Sequence, residues 1–258
     1  MAPAPGPVTV VTGSSRGIGF AVAEALAADG HRLVLVARNE DRLQEAAASL
    51  LATGAKVATY ATDLQHEGAA DDVIRATEKH FGHPDVIVNN AGTAPSDKIE
   101  STSAESVAEA FALHVAAPLA FARVCAASMK QRRSGCFLQL ASTAGLRGYP
   151  FTAAYTAAKH GMVGLTRALH AELAPKGIQA YAVCPGFVDS DITRAAAAAI
   201  AARGKTSADE ALSLMGQQNR IARMHTCEEV AAAVASLLRD RPAGCVYELD
   251  RDPAGFID

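Results

Sequence analysis

Val8-Thr9-Val10-Val11-Thr12-Gly13-Ser14-Ser15-Arg16-Gly17-Ile18-Gly19 passes from a β-branched run into a glycine-rich turn, and beyond it Phe20, Ala23, Leu26 and Ala27 recur at helical spacing. The reading is strand, turn, helix. Glycine suits a backbone that must turn tightly and let a ligand approach closely. The helix that follows directs its free N–H groups and positive dipole end at the turn, so a diphosphate fits there. An ordinary strand-to-helix turn is the plainer alternative.

The same alternation continues along the chain. Leu33 to Val36, Val57 to Ala61, Val86 to Val88, Cys136 to Leu140, Ala180 to Val183 and Val246 to Leu249 read as short apolar strands. Helical patterns fall between them at Arg42 to Leu51, Ala69 to Phe81, Ala104 to Met129, Ala153 to Leu173 and Glu228 to Leu238. Short apolar strands separated by amphipathic helices predict an α/β chain, a doubly wound, Rossmann-type parallel sheet of about seven strands with helices on both faces. One domain over residues 1–258 suffices, with no internal repeat or linker. In such sheets ligands bind beyond the carboxyl ends of the strands. The one irregular stretch, Ser190 to Thr226, is polar and alanine-rich with Gly204 and Gly216 as hinge positions, and reads as a substrate lid.

Composition excludes several function classes. Half of the 258 residues are hydrophobic and the net charge is −3, with no basic block interleaved with aromatics, so no nucleic-acid partner is expected. Apolar stretches such as Ala195 to Ala202 fall short of the roughly 20 residues needed to span a bilayer, so no membrane partner is expected. Met1 to Pro7 reads as a disordered leader rather than a signal peptide, and a cytoplasmic protein is expected. Cys125, Cys136, Cys184, Cys227 and Cys245 are odd in number and scattered, which reads as buried free thiols. No His/Cys cluster has the spacing of a metal site.

Two places carry chemistry beyond the glycine turn. At the end of the second strand, where a carboxylate would bind the ribose hydroxyls of NAD, the chain has Ala37 and Arg38. With Arg38 and Arg16 as planar, multi-donor cations, the site favours NADP(H) over NAD(H); otherwise both arginines are solvated surface groups. Asp63, after the third strand, either accepts from the adenine amine or caps the next helix. Tyr155 and Lys159, four apart, share one helix face. A lysine charge held near a phenol favours the phenolate and brings the proton closer to exchange at neutral pH, which suits a general acid or base.

These motifs together resemble the short-chain dehydrogenase/reductase family, nearly end to end from Val8 to about Leu249. They are Thr12-Gly13-x-x-x-Gly17-x-Gly19, Asp63-Leu64, Asn89-Asn90-Ala91-Gly92, Ser142, Tyr155-x-x-x-Lys159 and Pro185-Gly186. Within the family, Leu140 to Gly145, Ala158 to Gly161 and Val183 to Val188 look like bacterial ketoreductases that act on 3-oxoacyl thioesters or polyketides. The resemblance makes Tyr155 the proton donor to a carbonyl, Ser142 its partner on the carbonyl oxygen, and Lys159 the residue that binds ribose and tunes Tyr155. It places Gly13, Ser15, Arg16, Gly17, Ile18 and Gly19 on the diphosphate side and Leu64 with Asp63. Asn90 lies along the ribose, and Gly186, Val188 and Ser190 near the nicotinamide amide. A tetramer or dimer is the family expectation.

Departures from the family pattern are His114, where asparagine usually helps a water link the lysine to solvent, Tyr181, and a tail without the usual glycine pair after Asp250, which puts oligomer contacts in doubt. His114 either serves the relay with a pH dependence near its own titration, leaves it slow, or merely packs. Arg147, Tyr149 and Phe151 are candidates for the cleft entrance, and Arg147 or Arg194 for the phosphates of a carrier such as coenzyme A. The leading expectation is an NADPH-dependent reductase of a ketone, such as a 3-oxoacyl thioester or a polyketide-like carbonyl, to a secondary alcohol. The alternatives are an NAD-linked secondary alcohol dehydrogenase and a nucleotide-binding sensor with decayed catalysis.

Overall fold

Neighbouring residues of the strands face opposite ways, and both directions are buried. Leu33 and Leu35 enter one apolar cluster while Val34 and Val36 enter another, and Val11 and Val88 are likewise separated from Val10 and Ile87. A strand with no wet face needs helices on each side, and the chain supplies them. The computed structural model describes residues 6–204 and 206–257, without the side chains at positions 199 and 203. The first five residues of the expected leader lie outside the described residues, whereas Gly6 and Pro7 are held by Arg32, whose Nε and backbone N–H donate to their carbonyls at 2.9 and 2.8 Å.

In chain order the elements are β1 (Val8–Thr12), α1 (Gly17–Ala28), β2 (Arg32–Ala37), α2 (Glu40–Ala52), β3 (Lys56–Ala61), α3 (Ala69–Phe81) and β4 (Val86–Asn89). Then come α4 (Ala104–Phe111), α5 (Ala117–Arg132), β5 (Gly135–Leu140), α6 (Ala153–Leu173) and β6 (Ile178–Cys184). The chain closes with α7 (Asp191–Arg203), α8 (Ala208–Gln217), α9 (Cys227–Asp240), β7 (Val246–Glu248) and β8 (Gly255–Phe256). The sheet order is β3-β2-β1-β4-β5-β6-β7-β8, parallel up to β7, with β8 antiparallel at the edge. Helices α1, α2 and α9 cover one face through Val22, Leu26, Leu43, Leu50 and Val234; α3 and α5 cover the other through Val73, Ile74, Phe121 and Met129. The direction of winding reverses between β1 and β4, which opens a crevice at the carboxyl ends of those two strands.

Three elements differ from the sequence reading. The helix expected over Ala104 to Met129 contains a π-helical turn, Ala112–Ala116, centred on His114. This helical run, Ala104–Arg132, is also long and apolar enough to cross a bilayer by length and composition, which the sequence reading of apolar stretches does not include; here α5 packs Phe121, Ala122, Cys125 and Met129 against the sheet. The stretch read as irregular is largely helical. Alanine-rich α7 and the more mixed α8 each start at a serine that caps them, Ser190 accepting from Thr193 N–H and Ser207 from Glu210 N–H. Finally, β8 adds an eighth strand. Phe256 lies where a Cβ on Gly244 would collide with its ring and stacks edge-on to Tyr247 at 5.4 Å, so the tail folds back onto the chain's own sheet. Cys125, Cys136, Cys184 and Cys245 are buried; Cys227 is half-buried and its thiol donates to the Asp189 carbonyl at 3.5 Å.

One buried carboxylate ties the loops below the crevice together. Asp250, fully buried, accepts from Arg147 Nη2 at 3.0 Å and from the Arg220 backbone N–H at 2.9 Å, and His225 Nε2 lies 3.4 Å away. Glu248 adds a second contact to Arg147 at 3.4 Å. Replacing Asp250 with Ala leaves the Arg220 N–H without its acceptor and Arg147 with Glu248 as its one remaining carboxylate. The expected loss is about 2–3 kcal/mol, seen as a lower urea midpoint at unchanged slope. An unchanged midpoint would mean that the network does not form.

Candidate active site

The crevice is built where the ends of β1 and β4 are clamped. Thr12 Oγ1 accepts backbone N–H groups from both Asn90 and Ala91 at 3.0 Å, and Asn90 Nδ2 donates to the carbonyls of Thr12 and Gly13 at 3.0 Å. That closeness dictates the glycines. A Cβ on Gly19 would stand 2.3 Å from the Gly13 carbonyl oxygen, and Gly13, at φ 65°, would meet Ala91 Cα at 2.8 Å. Helix α1 then begins at Gly17 with no side chain capping its first N–H groups and no acidic residue in its first turn. Uncapped N–H groups at a helix start, with no carboxylate beside them, fit the diphosphate of a dinucleotide. Ser14 faces inward, accepting Val36 N–H at 3.0 Å, while Ser15 and Arg16 line a cleft with Arg42 and Asp191. Arg42 has no signal in the sequence that sets it apart from other helix-surface arginines.

Arg16 is already engaged. Its Nη1 lies 2.6 Å from Asp191 Oδ2, which joins the glycine turn to the first residue of α7. Arg38 is exposed at the end of β2, with Nη1 3.8 Å from Asp63 Oδ2. Asp63 does not cap the next helix: α3 starts at Ala69 with Gly68 before it, and Asp63 Oδ1 accepts Gln65 N–H within its own turn. Leu64 packs against the apolar cluster under α3.

The second half of the site lies beyond β5 and β6. Ser142 follows β5, its hydroxyl accepting Ala144 N–H at 3.1 Å, so it does serve as a turn serine as well as facing Tyr155, with which it shares a hydrogen bond. Gly145 lets that turn sit on α6, where a Cβ would be 2.7 Å from the Lys159 carbonyl oxygen. Lys159 is buried, donates to the Leu140 carbonyl at 2.6 Å and stands 5.7 Å from the centre of the Tyr155 ring. Gly186 approaches Asn219 and Asp250 so closely that a Cβ would meet Asn219 Oδ1 at 2.3 Å. Val188 is buried and bridged to His225, and Ser190 caps α7. Asn219, which accepts Phe187 N–H at 2.7 Å, and the Asp250 network carry no signal in the sequence.

Electrostatics alter the expected chemistry. The sequence predicts that the lysine lowers the phenol's titration, but desolvation pushes Tyr155 up to about 12, and the Ser142 hydrogen bond only opposes this. Burial likewise lowers Lys159 to about 7, so its charge is itself weakened. His114 Nε2 lies 2.9 Å from the Thr93 carbonyl oxygen, which can only accept; the ring therefore carries its proton on Nε2 and presents a lone pair at Nδ1, which has no partner. The imidazole stands edge-on to Tyr155 at 5.6 Å. Desolvation and then the Lys159 charge lower it to about 3, with the Thr93 hydrogen bond opposing them. Arg147 does not offer a free cation at the entrance because Glu248 and Asp250 hold it, and Arg194 is paired with Asp189 at 2.7 Å. Among the described residues no group of three or more His, Cys, Asp or Glu side chains gathers as for a metal ion.

Comparison with known proteins places this geometry in a family. The family model described as short chain dehydrogenase matches residues 7–201. The 3-oxoacyl-(acyl-carrier-protein) reductase FabG of Escherichia coli is 30% identical over 238 residues, 92% of each chain. Among solved structures, the L-sorbose reductase of Gluconobacter frateurii, complexed with NADPH and L-sorbose, superposes with a TM-score of 0.88 at 29% identity over 94% of each chain. A single-substitution variant of the actinorhodin polyketide ketoreductase with NADPH gives 0.86 at 30% identity over 92% of each chain. With a family match across most of the chain and oxidoreductase relatives along nearly its full length, this protein belongs to the short-chain dehydrogenase/reductase family and is an oxidoreductase acting on C=O or CH–OH groups.

Proposed function

We propose that the protein reduces a ketone to a secondary alcohol with NADPH, Tyr155 giving the proton. The observation that carries the reading is the grouping of Ser142, Tyr155 and Lys159, the Ser142 hydroxyl paired with Tyr155 and Lys159 Nζ 5.7 Å from the centre of its ring. A nicotinamide cofactor, when bound, supplies the hydride. As the carbonyl carbon gains that electron pair, charge develops on oxygen, and Ser142 and Tyr155 are the hydroxyls positioned to meet it. A phenol that keeps its proton up to about 12 is a loaded donor at neutral pH. Lys159, fixed by the Leu140 carbonyl, holds the Tyr155 ring and has donor capacity left for ribose. Neutral His114, with its Nδ1 lone pair, takes the place of the relay asparagine as an acceptor on the Lys159 side of the pocket. Gly186, Val188 and Ser190 would frame the nicotinamide amide, with Asn90 along the ribose and Leu64 beside the adenine.

The preference for NADPH rests on Arg38 and Arg16 at the place where an NAD site carries a carboxylate. Helices α7 and α8, within the Ser190 to Thr226 stretch, form the cover over the substrate, tied to the cofactor side by Arg16 and Asp191. The substrate is a small carbonyl compound, carrier-bound in the manner of the ketoacyl reductases this chain resembles. A homo-oligomer completes the reading.

Oxidation of NADPH followed by absorbance across a ketone panel that includes acetoacetyl-CoA tests the proposal. Tyr155→Phe is expected to lower turnover by roughly 10²–10⁴ at unchanged NADPH affinity; full turnover in this variant, or none in the native protein, would contradict it. Arg38→Asp is expected to weaken NADPH binding roughly 10–100-fold and NADH binding far less, as titrated by fluorescence. Equal losses for both would remove Arg38 from the 2'-phosphate. His114 also leaves a mark on stability. The unfolded chain binds a proton at about 6.5 and the folded chain only near 3, so stability is full above pH 6.5 and falls on acidification. Between about pH 6.5 and 4.5 the native protein should lose about 2–3 kcal/mol that His114→Asn retains, measured by denaturant titration.

A further inference from the structure

Phe151 occupies a backbone conformation that an aromatic residue rarely keeps. Its φ is 65°, in the left-handed region, where a bulky side chain is an outlier and glycine is the unstrained choice. Of the non-glycine residues with positive φ among those described, Arg133 and Arg241 end helices, a role that accommodates this geometry, and Ala222 carries only a methyl group. Phe151 ends no helix. It stands one residue before the N-cap of α6 and four before Tyr155. Its carbonyl accepts Asp97 N–H at 2.8 Å, and next to it the Tyr149 carbonyl accepts the Thr152 hydroxyl at 2.9 Å, so the strained conformation is held from both sides.

The ring gains little from the fold in return. Phe151 is 59% exposed, and it sits where the loop after β4 meets the loop after β5, at the carboxyl ends of the strands that carry Asn90 and Ser142. The polar residues of its own loop are turned to other work: Arg147 is held by Glu248 and Asp250, and the Tyr149 hydroxyl by Arg147 and Thr143. Two residues past Asp97, Ile99 is 74% exposed. Phe151 and Ile99 thus present apolar side chains to solvent next to the exposed Asp97, Lys98 and Glu100, with a large ring at a position where glycine would cost the backbone nothing.

We propose that Phe151 is a specificity-determining residue, presenting its ring to an apolar acyl or alkyl chain that extends from the ketone out of the cleft. This rests on the ketone-reductase reading of the same site. A chain laid along the ring loses water from both surfaces, and each added methylene strengthens binding until the ring is covered. Short ketones reach Ser142 and Tyr155 without touching it.

Two substitutions separate the ring from the backbone. Phe151→Gly removes the ring and relieves the conformation, whereas Phe151→Ala removes the ring and keeps the strain. Kinetics are measured with acetoacetyl and 3-oxodecanoyl N-acetylcysteamine thioesters, alongside thermal melting and light scattering. The expected result is that in both variants the ratio of kcat/KM for the long substrate to that for the short one falls roughly tenfold. The glycine variant should melt about 2–4 °C above the alanine variant. An unchanged ratio overturns the proposal, and an unchanged ratio together with a change in molecular mass would assign the ring to contacts between copies. A native protein inert to both thioesters would overturn the reductase reading itself, and this inference with it.

Discussion

Thr12 Oγ1, accepting two backbone N–H groups from Asn90 and Ala91, is the constraint on which the site depends. It fixes the ends of β1 and β4 at the distance where the winding of the sheet reverses, and at that distance only hydrogen fits at Gly13 and Gly19. The glycines are therefore consequences of the clamp. They bring an uncapped helix start to the crevice, and the same crevice receives the residues after β5 and β6. A side chain at either glycine would push the two strand ends apart and disturb the cofactor and carbonyl sides together.

Desolvation, more than the pairing of charges, sets the chemistry of the pocket. Tyr155, Lys159 and His114 sit close to one another in a poorly hydrated space, and each is moved towards its uncharged form. The outcome is a protonated phenol, a weakened ammonium and a neutral imidazole with a fixed tautomer. Asp250 and Glu248 hold Arg147 and thereby the turn that carries Ser142, so the position of Ser142 depends on carboxylates distant in the chain.

The sheet is legible in the sequence because its signal is local and repeated. Strands buried on both faces read as continuous apolar runs, and the readings of α3 and α6 agree with their observed ends because hydrophobic spacing and breakers coincide there. The grouping of Ser142, Tyr155 and Lys159 is legible as well, since Ser142 follows a strand and the other two share one face of the next helix. What escapes depends on contacts distant in sequence. The π turn sets His114 against Gly92 and Tyr155, which are distant in sequence, and α7 is obscured by alanine, which marks no face. Arg147 looks like a free cation until the fold brings Asp250 to it. The sign of the Tyr155 shift does not follow from a nearby lysine, because burial of both groups decides it.

The most direct test follows the hydride. NADPH carrying deuterium at both C4 positions of the nicotinamide is turned over with the ketone panel and the alcohol analysed by mass spectrometry. The account predicts one deuterium at the carbinol carbon per molecule of NADPH consumed, with the hydroxyl proton drawn from solvent. Binding of cofactor and ketone without any deuterated alcohol would contradict it.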